Sequence, residues 1–126
     1  MAHPSDFVIY VIVHDDAVRD SICVLLNSMC FPICSFDSAN GFLRAERPNG
    51  KSCLILDDDM PDMRGCKLLD RLRSEGLRIP AIILTQPMTA SAQSVKRSDV
   101  IALEKPCAPD TLIGGLARAL SSDQPG

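Results

Sequence analysis

The sequence predicts an α/β fold in which a doubly wound, five-stranded parallel sheet is flanked by five helices. Short apolar runs of strand length alternate with amphipathic, helix-length stretches from one end of the 126 residues to the other. The runs "FVIYVIV" (7–13), "CLIL" (53–56) and "AIIL" (81–84) are uninterrupted, as strands buried on both faces are. The βα unit repeats five times without a linker, an internal repeat or a second domain, and such units wind into an open parallel sheet with helices on both faces.

The elements follow in order. After "FVIYVIV", residues Val18, Ile22, Leu25, Leu26 and Met29 recur at helical spacing and predict one buried face of the first helix. "FPICSF" (31–36) reads as a short second strand. Ser38 is placed to N-cap a helix carrying Phe42 and Leu43, which stops by Pro48. "CLIL" is the third strand, and Leu68, Leu69 and Leu72 mark a helix ending near Gly76, where glycine accepts the left-handed cap. "AIIL" is the fourth strand, followed by a poor, short helix around 90–97. "VIAL" (100–103) is the fifth, and Leu112, Ile113, Leu116 and Leu120 define a last helix weakened by Gly114 and Gly115. Residues 1–6 and 121–126 read as flexible tails around a domain spanning 7–120.

Composition narrows the function. An apolar fraction of 46% over this length is that of a globular domain with a real core. A net charge of -3 with both signs interspersed provides no basic footprint for nucleic acid. No apolar run reaches membrane-span length and "MAHPSD" has no secretory pattern, so the expected location is cytoplasmic. The six cysteines (Cys23, Cys30, Cys34, Cys53, Cys66, Cys107) form no CxxC pair or zinc-ligand spacing, and read as small buried apolar residues in a reducing compartment, with a redox role for Cys30, Cys34 or Cys107 as the alternative.

In a doubly wound sheet, ligands bind outside the carboxyl ends of the strands. Here the strands exit into "HDD" (14–16), Asp57, Thr85 and Glu104-Lys105-Pro106. A carboxylate, a hydroxyl and an ammonium converging on one edge suit a phosphoryl group: nucleophile, oxygen ligand and charge neutraliser.

On "AVRDSI" (17–22), "LDDDMPDMRG" (56–65), "LLDRLR" (68–73), "IPAIILT" (79–85) and "LEKP" (103–106), the chain resembles a bacterial two-component receiver domain, closest to the subfamily often fused to helix-turn-helix outputs. The resemblance implies a flavodoxin-like fold with strand order 2-1-3-4-5. It selects Asp57, four residues before Pro61, as phosphoacceptor, with Thr85 and Lys105 as phosphoryl-binding residues and a cis bond before Pro106. It implies a histidine kinase as phosphodonor and Mg²⁺ as cofactor.

The chain departs from the family at three places. Receivers place a metal-holding acid pair at the end of the first strand, where Val13 and His14 stand here. The remaining candidates for a weakened metal site are Asp57, Asp59 (through its carbonyl) and Asp15, with Asp58 as a further compensating acid, so Mg²⁺ is expected to be weak or absent. His14 is open between an internal counter-ion and a solvent-facing loop residue. Ala102 stands where the family usually has an aromatic, and the segment from Thr85 to Lys105 is about two residues short of the family usual, which predicts an altered partner or dimer surface.

Two receiver readings follow. In the first, a stand-alone, non-enzymatic response regulator accepts phosphate on Asp57 and signals to a downstream protein, binding neither DNA nor membrane. In the second, a pseudo-receiver works through protein contacts with little or no Mg²⁺-dependent phosphorylation. "LILDDDM" also resembles the opening motif of haloacid-dehalogenase-type phosphatases, but Pro61 and the absence of a later acidic motif after Lys105 depart from that pattern.

Overall fold

A computed structural model describes residues 7–45, 51–77, 79–85, 100–104 and 108–122. The predicted helix around 90–97, the Lys105-Pro106 bond, Cys107, residues 1–6 and the end of the C-terminal tail lie outside the described residues. In chain order the elements are β1 (Val8–Ile12), α1 (Asp16–Ser28), β2 (Ile33–Phe36), α2 (Ala39–Arg44), β3 (Ser52–Asp57), α3 (Gly65–Ser74), β4 (Ala81–Thr85), β5 (Val100–Glu104) and α4 (Pro109–Ser122). The described residues thus hold five strands and four helices.

The sheet is parallel throughout and ordered β2-β1-β3-β4-β5, the order expected. Strand side chains alternate between faces, so each strand feeds two cores. Ile9, Val11, Cys53, Ile55, Ile82 and Leu84 meet Ile22 and Leu26 of α1 and Leu112 and Leu116 of α4. Ile12, Leu54, Leu56, Ala81 and Ile83 meet Phe42 of α2 and Leu68, Leu69 and Leu72 of α3. The continuity of the apolar runs is therefore a consequence of helices on both sides. Gly115 does more than weaken α4: a Cβ there would lie 3.2 Å from Leu103 Cδ1, so the glycine lets the helix approach β5 closely.

Helix ends follow local chemistry. The Asp15 carboxylate accepts the Val18 N–H at 3.0 Å and caps α1, and Ser38 caps α2 through the Gly41 N–H, also at 3.0 Å. Gly76, at φ 85°, closes α3 as its position in the sequence predicts.

Two expectations are corrected. Val18 is not part of the α1 core face; it is exposed in the first turn of the helix that Asp15 caps, and Ile22 and Leu26 are the buried residues of α1. The cysteines are not uniformly buried: Cys53 is, but Cys30 and Cys34 are exposed, one in the turn after α1 and the other on the edge strand β2.

Candidate functional site

Sheet register brings the acceptor candidates to one edge. Asp57 is the last residue of β3 and pairs with Leu84 on β4, so Thr85 stands one step further along the adjacent strand. On the other side Ile12 pairs with Leu56, which puts Val13 beside Asp57 one step on. Thr85 in turn pairs with Glu104 on β5, the residue before Lys105. Lys105 itself lies outside the described residues.

Asp57, Asp58 and Thr85 are all buried, an unusual concentration of polar groups at the top of an apolar sheet. One Asp57 oxygen, Oδ1, accepts the Asp59 N–H at 3.1 Å. The Thr85 hydroxyl is buried at 1% residue exposure and has no hydrogen-bond partner among the described residues. Buried hydroxyls are nearly always bonded, and this one stands one step along the sheet from the pairing partner of Asp57.

The other two aspartates of the run have different surroundings. Asp59 is exposed. Asp58 is buried, with Oδ2 receiving a hydrogen bond from Arg64 Nη2 at 2.7 Å and Oδ1 one from the Cys66 N–H at 3.2 Å. That carboxylate caps the start of α3, whose N-cap residue Arg64 offers no side-chain cap of its own. The hydrogen bond to Asp58, and then its charge, raise the Arg64 guanidinium further above its ordinary value. Asp62 reaches across to α2, where its two oxygens accept the Ala39 N–H at 3.3 Å and the Asn40 N–H at 2.8 Å.

At the exit of β1, Val13 is fully buried against the core on the α1 side. His14 is exposed, with Nδ1 facing the Asp37 carbonyl oxygen at 3.4 Å. Arg19 Nη1 donates to the Val13 carbonyl at 2.9 Å and the His14 carbonyl at 3.3 Å, while Nη2 pairs with Asp16. Asp15 is engaged as the α1 cap.

Arg19, Arg64 and Asp62 were not singled out by sequence reasoning. Arg19 and Arg64 sit inside the motifs "AVRDSI" and "LDDDMPDMRG", yet their partners are backbone carbonyls and a carboxylate that no spacing rule selects. Ala102 is exposed on β5.

The fold and the buried polar edge are those of a receiver type of signalling domain, and the family comparison agrees. The chain belongs to the response regulator receiver domain family, whose model matches residues 9–117. It is similar to the transcriptional regulatory protein FixJ of Bradyrhizobium diazoefficiens, at 34% identity over 119 residues covering 93% of this chain and 58% of that protein. It is similar to the response regulator protein TodT of Pseudomonas putida, at 32% identity covering 95% of this chain and 55% of that protein. The chain thus spans little more than half the length of these curated relatives. Among solved structures, FixJ-N is matched with a TM-score of 0.78 at 29% identity, covering 92% of this chain and 94% of that one.

Receiver domains are generally non-enzymatic signalling domains that usually hold Mg²⁺ on acidic residues, and Mg²⁺ asks for a tight octahedral set of hard oxygens. The described residues do not fit that set. Val13 presents methyl groups, His14 faces Asp37, and the carboxylates of Asp15 and Asp58 are bonded into the starts of α1 and α3. Among the described residues no group of three His, Cys, Asp or Glu side chains converges to hold a metal ion. Of the expected ligands, Asp57 ends β3 and the Asp15 carboxylate is engaged as the α1 cap.

Proposed function

We propose that this domain accepts a phosphoryl group on Asp57 from a partner histidine kinase and signals by protein contacts, in the cytoplasm and without turnover of its own. The observation that carries the reading is the buried Thr85 hydroxyl without a partner among the described residues, one step along the sheet from the acceptor. In the transfer, an Asp57 oxygen attacks phosphorus and the P–N bond to the kinase imidazole breaks. The bonding pair stays on the imidazole, which takes a proton from solvent, and an acyl phosphate remains. Thr85 donates to a phosphoryl oxygen, and family resemblance supports the Lys105 ammonium as the neutralising charge.

A second reading is the pseudo-receiver, which keeps the fold and protein partners but takes no phosphate. Its support is specific: the acids that would hold a metal are replaced at Val13 and His14, and the nearby Asp15 and Asp58 are bonded elsewhere.

Intact-mass measurement after incubation with acetyl phosphate, with and without Mg²⁺, separates the two. The acceptor reading predicts a one-phosphoryl adduct, lost in Asp57→Asn, whose yield changes little when Mg²⁺ is chelated. No adduct under either condition, and none from a histidine kinase, leaves the pseudo-receiver.

A further inference from the structure

The β3–α3 connection holds a charge pair for which the acceptor reading has no use. Asp58 follows the acceptor directly and is buried, and a buried carboxylate is costly unless it is bonded. It is tied down from both ends. Its N–H donates to the Leu84 carbonyl at 3.0 Å and its carbonyl accepts the Gly65 N–H at 3.3 Å. Its side chain holds the Cys66 N–H and the Arg64 guanidinium. Arg64 reaches inward from the rim, with its side chain 54% exposed.

The next peptide along makes this matter to the acceptor. The N–H of Asp59, joined directly to Asp58, is the group that donates to Asp57 Oδ1. The start of α3 also presses on the acceptor's own backbone: a Cβ on Gly65 would stand 2.9 Å from the Asp57 carbonyl oxygen. Residues 57–59 and 64–66 are thus one bonded unit, and Arg64 supplies its cationic link.

We propose that Arg64 is a positioning residue for Asp57, acting through its ion pair with the buried Asp58 to hold the Asp59 amide on the acceptor carboxylate. The Asp59 amide is one of the bonds that orient the Asp57 carboxylate, and Arg64 fixes where that amide points. The functional consequence rests on the acceptor reading above; the structural link does not.

The experiment uses the full chain labelled with ¹⁵N, following the Asp59 amide resonance and the rate of adduct formation from acetyl phosphate. Arg64→Gln is expected to displace the Asp59 amide and slow adduct formation roughly tenfold to a hundredfold, the cost of a misplaced reacting group. Arg64→Lys is expected to recover most of both. Arg71→Gln, which breaks the Arg71–Glu75 pair on the surface of α3, is the control and leaves both unchanged. If Arg64→Gln does not fold, Asp58→Asn breaks the same pair from the other side and must move the Asp59 amide. A variant that loses thermal stability while the Asp59 amide and the adduct rate stay put overturns the proposal. If the unaltered chain forms no adduct, the acceptor reading falls, and the amide shift alone still decides the Arg64 link.

Discussion

Thr85 and Asp57 stand at the ends of neighbouring strands, yet their side chains are under different constraints. Asp57 accepts a backbone amide, whereas the Thr85 hydroxyl is buried with no partner among the described residues. A buried donor that lacks a partner costs about 1–3 kcal/mol, and Thr85 has none among the described residues. Thr85→Val keeps the shape and removes that cost. It is expected to leave stability unchanged or raise it by about 1 kcal/mol, while adduct formation at Asp57 slows; thermal unfolding and intact mass check the two halves. Both residues were legible in the sequence because they leave apolar runs at motif-defined places. The role of Asp58 was not. Its partner Arg64 lies six residues on, across the loop into α3, and no local periodicity pairs a strand-end acid with a helix-start base. Asp15 was expected as a spare metal acid, but its position just before α1 makes it a cap, and capping decides its geometry.

Helices α1 and α3 end in the same way on different residues. In α3 the Leu77 N–H bonds the Leu72 carbonyl and the Gly76 N–H bonds the Arg73 carbonyl, with Gly76 left-handed. In α1 the Phe31 N–H bonds the Leu26 carbonyl and the Cys30 N–H bonds the Asn27 carbonyl, with Cys30 left-handed at φ 66°. A side chain in that conformation costs roughly 1–2 kcal/mol that glycine avoids. Cys30→Gly is therefore expected to stabilise the domain by about 1 kcal/mol, read from urea or thermal unfolding; a loss of stability would contradict the cap. The end of α3 was legible because glycine marks it. The end of α1 was not, since cysteine carries no such signal and the apolar period ran on to Met29. Burial of Val18 was overestimated for a related reason: periodicity identifies a face but not which of its residues the core covers.

Across the whole molecule, two cores on opposite faces of one parallel sheet fix the register, and the register places the site. A one-residue slip of β3 against β4 would exchange Leu54 and Leu56 with Cys53 and Ile55 between the cores, so the hydrophobic pattern holds Asp57 opposite Leu84. That logic made strand order and the site edge readable from the sequence, given the receiver resemblance. The resemblance had already selected Asp57 from the run; what the sequence left open was the structural part of Asp58, because adjacent identical residues differ only in the contacts the fold gives them. Asp57 ends β3 opposite Leu84 and accepts the Asp59 N–H, Asp58 anchors α3 and Asp59 is exposed. The direct test of this division is borohydride trapping of the phosphorylated chain followed by peptide mass mapping, since an aspartyl phosphate is reduced to homoserine where it forms. Homoserine at position 57 alone is the predicted result. Homoserine at 58 or 59, or none after treatment with acetyl phosphate and a histidine kinase, would contradict it.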